Sequence, residues 1–361
     1  MEKHLYGRIK NGKIKMVSKK QVMVGNLPLG GGAQISIQSM CNTLTKDVKQ
    51  TINQIHALEE EGCEIVRVSV PDKASVLALK EIKNNISIPL VADIHFDHKL
   101  GIEAANHVDK IRINPGTIGG YEKLKSVLYA AKNNSIPIRI GLNLGSLEKD
   151  IEKKYGLTAE ALVESAIKAI EYCESLDFYD IVVSLKASNV LKTIKAYKLI
   201  SQRTDYPLHL GITEAGTLFS GTIKSSVGIG TLLAAKIGDT IRVSLSADPV
   251  EEIRVAKQIL QSLELRRFGV EVTACPTCAR VGFDVAKVAS EVEERTSKIK
   301  KPIKIAIMGC GVNGPGEAKD ADIGVVGGTD KCLFYKKGEI VEKINKQEII
   351  GMVLKSIDDF K

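Results

Sequence analysis

The sequence predicts an α/β chain, an N-terminal (β/α)8 TIM barrel followed by a small α+β domain, with the boundary near residue 265. Three observations carry this reading. Eight short β-branched runs alternate with longer helical patterns between residues 35 and 265, and strict alternation implies a parallel sheet with right-handed crossovers. Eight such units in this length suit a closed barrel better than an open sheet. Beyond about residue 268 the alternation stops.

The strand-like runs are 35–40, 65–70, 89–94, 110–114, 137–142, 180–185, 207–212 and 240–245. Helical patterns fill 45–61, 74–84, 97–107, 121–133, 158–176, 188–203, 223–237 and 249–263. Thr45, Thr158 and Asp248, the last followed by a proline, stand where N-terminal caps belong. The rival is a doubly wound sheet, but no Gly-x-Gly-x-x-Gly follows an early strand, and Gly30-Gly31-Gly32 precedes the first one, as a turn would. The first 20 or so residues, rich in Lys and Gly, read as an arm or a hairpin. In the tail, strands are expected at 270–274, 303–308, 323–326 and 333–335, and helices at 283–297 and 346–357.

Composition narrows the function. Hydrophobic residues at 44% and charged residues at 26% exclude low-complexity disorder. The net charge of +8 divides into +5 before residue 266 and +3 after it, so no basic tail exists. Without Trp, and with aromatics at 4%, stacking platforms are scarce, and nucleic acid is not an expected partner. The first residues lack the apolar core of a signal peptide, and no run approaches ~18 apolar residues. The expectation is a cytoplasmic chain without a membrane span, in which the seven cysteines are reduced thiols and not a disulfide framework.

Strands of a barrel covered on both sides should be almost wholly apolar. Here Arg67, Asp93, Arg112, Arg139, Lys186, Glu214 and Arg242 fall near C-terminal strand ends, with Asn114, Asn143, His209 and Ser244. Any one of them could point outward to a helix carboxylate. Five cations on five strands are harder to dismiss, because unpaired buried charge is expensive. Converging on the mouth, five cations against two carboxylates would bind a phosphorylated or diphosphorylated small molecule. The carboxylates would accept hydrogen bonds or move protons. His95 and His98 read as hydrogen-bonding loop residues more readily than as a metal pair.

The tail carries Cys275-Pro276-Thr277-Cys278 and, 31 residues on, Cys310 at the head of a Gly/Pro-rich loop ending in Glu317. A Cys-x-x-Cys pair admits three chemistries: zinc, dithiol redox or iron–sulfur. No histidine lies beyond His209, so zinc would need Cys332. Dithiol exchange would leave Cys310 idle. Three thiolates suit three corners of a 4Fe–4S cluster, with Glu317 or Cys332 as candidates for the fourth iron. The remaining cysteines, Cys41, Cys63 and Cys173, have no assigned chemistry.

These residues resemble a known family. Ala274–Arg280, with 308–324, is similar to the 4-hydroxy-3-methylbut-2-enyl diphosphate synthases, iron–sulfur enzymes of isoprenoid precursor biosynthesis by the methylerythritol phosphate route. Gln38-Ser39-Met40, 66–71, 92–96, 111–116, 138–143, 183–187, 210–216 and 241–245 resemble its barrel segments, and Cys41 stands where such proteins carry Thr. The long insertion of plant-type members is absent. The resemblance implies reductive ring opening and dehydration of 2-C-methyl-D-erythritol 2,4-cyclodiphosphate, fed by flavodoxin or ferredoxin one electron at a time. It implies a substrate held by Arg67, Arg112, Arg139, Lys186 and Arg242 with Asn143 and Ser244, while Asp93 and His209 contact nearby oxygens. It places a 4Fe–4S cluster on Cys275, Cys278 and Cys310, with Glu317 on the fourth iron until substrate displaces it. Glu214 is then the candidate for protonation or for steering the reacting carbon, and Asn313 stands near the cluster. Members of the family are homodimers in which the cluster domain (266–361) of one copy closes over the barrel (1–265) of the other.

Overall fold

The computed structural model describes residues 18–360, and the chain divides after Leu265 into two compact units. In the first, eight parallel strands run in sequence around a barrel: β3 (Ser36–Met40), β4 (Ile65–Ser69), β5 (Leu90–Ile94), β6 (Lys110–Ile113), β7 (Ile138–Asn143), β8 (Ile181–Lys186), β9 (His209–Leu210) and β10 (Thr240–Ile241). β10 pairs with β3, and a parallel bridge between Val183 and Leu208 closes the ring between β8 and β9. Asp47, Asp72, Asp97, Thr158, Asn189 and Asp248 cap the helices that follow strands, each accepting a backbone N–H. The first helix is therefore capped at Asp47, not at Thr45, whose hydroxyl donates to the Ser69 carbonyl instead.

Two barrel strands, β9 and β10, are shorter than their apolar runs suggest, and glycines leave room for long cations at the mouth. A Cβ on Gly211, just past β9, would stand 2.7 Å from the Lys186 Nζ and from the Arg242 carbonyl oxygen. A Cβ on Gly141 of β7 would stand 2.3 Å from the Arg112 Nε. Glycine at both positions is a condition for those side chains to fold inward.

The floor of the barrel is closed by a hairpin, β1 (Gln21–Val24) and β2 (Leu27–Gly30). Val22, Val24 and Leu29 pack on Ile65, Val91 and Val182 from the strands above. Part of the predicted arm-or-hairpin segment, residues 1–17, lies outside the described residues. The short helix Lys149–Tyr155, after β7, has no counterpart among the sequence expectations.

The second unit is a five-stranded sheet in the order β11 (Val270–Ala274), β12 (Ile303–Met308), β13 (Ile323–Val326), β14 (Cys332–Lys336), β15 (Glu339–Ile344). The first three strands are parallel and the last two antiparallel. Helices Val285–Thr296 and Ile349–Asp358 cover one face, and Gly314–Lys319 packs on the other through Ala318. The sequence reading missed β15 because five of its six residues are exposed and it has no apolar run. Its signal was the two-residue turn Lys337-Gly338, both with positive φ, which makes a tight hairpin. No helix among the described residues is long and apolar enough to cross a membrane.

Removing the floor plug should destabilise the barrel without touching its mouth. Leu29→Ala, at a fully buried position, is expected to cost about 2–5 kcal/mol, read by chemical denaturation.

Candidate active site

Alternate strands of a closed barrel supply four side chains to each level of its lumen. The register puts Ile65, Lys110, Val182 and Thr240 lowest, then Gln38, Val91, Arg139 and His209, then Arg67, Arg112, Ser184 and Arg242. Arg139 donates to the Gln38 Oε1 at 3.4 Å, from β7 to β3 on the opposite wall, which places both side chains inside the ring.

Above these levels opens a cavity of about 190 Å³ lined by Arg67, Arg112, Arg139, Asn143, Lys186, Arg242 and Ser244, together with His95, Ser146, Ser184 and Thr213. The structure therefore gathers all five predicted cations around one space, with Arg139 as its floor. Asp93 and His209 are not on its wall. Asp93 is buried between Arg112 Nη1 at 2.9 Å and Arg67 Nε at 3.8 Å. Burial pushes its carboxyl up, but the two guanidinium groups outweigh this and hold it below the usual carboxylate range. His209 lies a level lower, with Nε2 3.4 Å from the Lys186 Nζ.

His95 is wired into the cation set. Its Nε2 accepts from Arg112 Nη1 at 2.5 Å, so Nδ1 carries the hydrogen and donates to Thr117 Oγ1 at 3.0 Å. Burial and the neighbouring guanidinium groups keep the ring's pKa below its ordinary value, against the pull of Asp93. Arg112 also donates to the Gly141 carbonyl at 2.7 Å from Nη2, while its buried Nε has no partner among the described residues.

Sequence reasoning missed Glu252. From helix Pro249–Ser262 it accepts from Arg242 Nη2 at 3.1 Å, Ser39 Oγ at 2.9 Å and the Leu245 N–H at 3.1 Å. A carboxylate within the buried stripe Pro249, Glu252, Ile253, Ala256 was the available signal. Glu214, by contrast, is exposed, has a positive φ of 49° and lines an adjoining cavity that shares Asn143 and Ser146 with the first. Thr213 accepts from Asn143 and donates to Glu214, linking the two spaces.

In the second unit Cys275 follows β11 directly, and Cys310 comes two residues after its parallel neighbour β12. The Gly309 N–H donates to the Cys275 sulfur at 3.1 Å. Cys278 is exposed, Cys275 and Cys310 are half-buried, and all three are free thiols. Cys332 is sealed in the hydrophobic core between sheet and helices, so it is not a further ligand. Among the described residues no three Cys, His, Asp or Glu side chains close on a single metal ion. A cubane cluster places each thiolate on a different iron, so its ligands stand further apart than those of one ion. Three soft donors and a backbone N–H aimed at sulfur, with no fourth thiol or imidazole beside them among the described residues, fit an iron–sulfur cluster better than zinc. Asn313 and Glu317 are exposed, and the Asn313 carbonyl accepts the N–H of Glu317 in the first turn of helix Gly314–Lys319.

Residues 19–257 match the GcpE TIM-barrel domain and residues 271–359 the GcpE protein C-terminal domain. The chain belongs to the GcpE family. Its GcpE relatives include a protein of Caldanaerobacter subterraneus subsp. tengcongensis, 59% identical over 341 residues, covering 94% of this chain and 96% of the relative. A Ruminiclostridium cellulolyticum protein is 53% identical over 348 residues, covering 96% and 99%. Both are named 4-hydroxy-3-methylbut-2-en-1-yl diphosphate synthase (flavodoxin). Among solved structures, dihydropteroate synthase of Stenotrophomonas maltophilia (TM-score 0.51, 12% identity) and a type I 3-dehydroquinate dehydratase of Clostridium difficile (TM-score 0.51, 16% identity) each cover 68% of this chain and 98% of their own. They share the fold of the barrel.

Two outcomes follow from the mouth. Glu252→Ala strands a half-buried guanidinium and should cost about 3–5 kcal/mol in denaturation, whereas Glu252→Gln, which keeps a hydrogen-bond acceptor, should cost less. Burial and the surrounding guanidinium groups hold Lys186 well below the ordinary lysine value. A bound anion raises that value, so binding of inorganic diphosphate should take up protons at a pH between the free and bound values. Calorimetry in buffers of different ionisation enthalpy reads this uptake, and buffer-independent heats would contradict it.

Proposed function

We propose that the chain carries out the reductive ring opening and dehydration of 2-C-methyl-D-erythritol 2,4-cyclodiphosphate to 4-hydroxy-3-methylbut-2-en-1-yl diphosphate. The observation that carries this reading is the surplus positive charge around the cavity. Asp93 is shared by Arg67 and Arg112, and Glu252 serves Arg242. Lys186 and Arg139 have no carboxylate partner among the described residues. A cyclic diphosphate carries about one charge per phosphorus, and opening it frees a terminal phosphate that carries more. Preorganised cations favour the state in which that charge develops.

Arg67, Arg112 and Arg242 stand on one level of the lumen and grip the diphosphate, with Lys186, Asn143 and Ser244 at the rim and Arg139 below. Asp93 and His209 act through the cations they face, Asp93 by orienting Arg67 and Arg112, His209 by its contact with Lys186. Glu214 stands at the rim of the adjoining cavity, where a carboxylate can hold a proton for the departing hydroxyl. Cys275, Cys278 and Cys310 would hold a 4Fe–4S cluster, with Glu317 for the fourth iron and Asn313 beside it. That cluster, when bound, supplies single electrons drawn from a flavodoxin or ferredoxin. The reaction needs both units, and we propose that a homodimer brings the cluster domain of one copy to the barrel of the other, in the cytoplasm.

The test is anaerobic turnover of the cyclic diphosphate with a chemical one-electron reductant. The protein purified without air should be coloured and hold about four irons per chain, and Cys310→Ser should lose colour and activity together. Mixing Cys310→Ser with Arg112→Ala, each inactive alone, should restore part of the activity if the units of different copies cooperate. Fully loaded protein that leaves the substrate intact would sink the assignment.

A further inference from the structure

At and below the floor of the mouth cavity the lumen holds a set of buried polar atoms without partners, of which Lys110, Gln38 and Thr240 have no part in the proposed reaction. Lys110 is fully buried and its Nζ has no hydrogen-bond partner. The nearest carboxylate in sequence, Asp109, is committed to Lys83 and to the Leu90 N–H. One level up, Arg139 is 1% exposed, gives one nitrogen to Gln38 and leaves its Nε unpartnered. The Gln38 Nε2, His209 Nδ1 and Thr240 Oγ1 are also buried without partners.

The direction of each bond shows what these atoms lack. Gln38 already accepts through Oε1, so the free Nε2 can only donate. The His209 Nε2 faces the Lys186 Nζ at 3.4 Å, which leaves the Nδ1 as the ring atom without a partner. Lys110 Nζ and Arg139 Nε are donors by nature, and the Thr240 hydroxyl can donate. The five belong to two consecutive levels of one closed ring. Burial, then Arg139, Lys186 and Lys110, hold the pKa of the His209 ring well below its ordinary value. Beneath them Val22, Val24 and Leu29 seal the floor against Ile65 and Val182. These buried donors, on Lys110, Arg139 and three neutral side chains, have no acceptor among the described residues. A water molecule offers acceptor capacity but neutralises nothing.

We propose that the lumen contains an inner anion site, beneath the substrate pocket and sharing Arg139 with it, which holds one chloride ion against Lys110, Arg139, Gln38, His209 and Thr240. A monatomic anion accepts from any number of donors, tolerates irregular geometry and needs little more room than a water. It balances the inner cations permanently, leaving those of the upper level for the substrate. The inference stands on the lumen's donor inventory and does not depend on the reaction assigned above.

Full-length protein prepared without chloride and crystallised with bromide tests it by anomalous diffraction. A bromide peak within hydrogen-bonding reach of the Lys110 Nζ is the expected result. A peak confined to Arg67, Arg112 and Arg242, or water alone beside Lys110, overturns the proposal. In solution, the melting temperature of the wild type should rise saturably when glutamate is exchanged for chloride at fixed ionic strength. Lys110→Met should abolish that rise, and a rise that persists in the variant also overturns the site. Should the variant fail to fold, the bromide map of the wild-type protein decides.

Discussion

Positive charge enclosed in a barrel has to be balanced, and the rest of the structure follows from how it is done here. Arg67, Lys110, Arg112, Arg139, Lys186 and Arg242 all project into one lumen, and Asp93 and Glu252 are the buried carboxylates that face them. Taking a charge out of water costs several kcal/mol even after relaxation. A core built this way is poorer than one of Leu and Ile, and the excess is tolerable only where an anionic ligand completes it. Burial draws even Arg67 down to about 10, against the pull of Asp93, and it still carries its charge at neutral pH.

The surrounding fold reads as support for that arrangement. Gly141 and Gly211 withdraw side-chain volume where Arg112 and Lys186 need it. Met40 lays its sulfur against Arg67 at 2.9 Å and Arg242 at 3.7 Å, filling the space between two like charges with a soft, polarizable group. His95 fixes Arg112 from the rim of the cavity, and Glu252 fixes Arg242 from the helix Pro249–Ser262. The hairpin of residues 21–30 closes the lower end with aliphatic side chains, which keeps water from screening the cations above. Preorganisation of this kind lets the site bind charge without first having to move.

The alternation of strand and helix was legible because it is periodic and local, and so were the strand-end cations, since an Arg inside a β-branched run breaks an obvious pattern. Levels within the lumen were not legible. Which of Arg67, Arg112 and Arg139 stands highest depends on register between strands, and no single segment encodes that. Arg139 proved to be the floor of the cavity, and His209, on the same level, to stand off its wall for this reason. Glu252 escaped because a carboxylate in the first turn of a helix has an ordinary explanation, favourable interaction with the helix dipole. Its burial is a tertiary fact. The thiols were conspicuous by type and spacing, yet the role of Cys332 was decided by its place in a core, which sequence spacing does not report.

Barrels of this shape host unrelated chemistry, and dihydropteroate synthase and dehydroquinate dehydratase share it at 12–16% identity. Fold alone therefore says little about reaction. What separates this chain from a generic phosphate-binding barrel is the pairing of two features with different mechanical demands. Arg67, Arg112 and Arg139 ride on strands and Arg242 just past one, each held by a neighbouring side chain, as a fixed anion site requires. The three thiols ride on loops, exposed or half-buried, where sulfur can meet iron without distorting a sheet. A rigid charged cup and an adaptable soft-donor loop, carried on separate units of one chain, suit a reaction that must hold an anion still while electrons arrive from elsewhere.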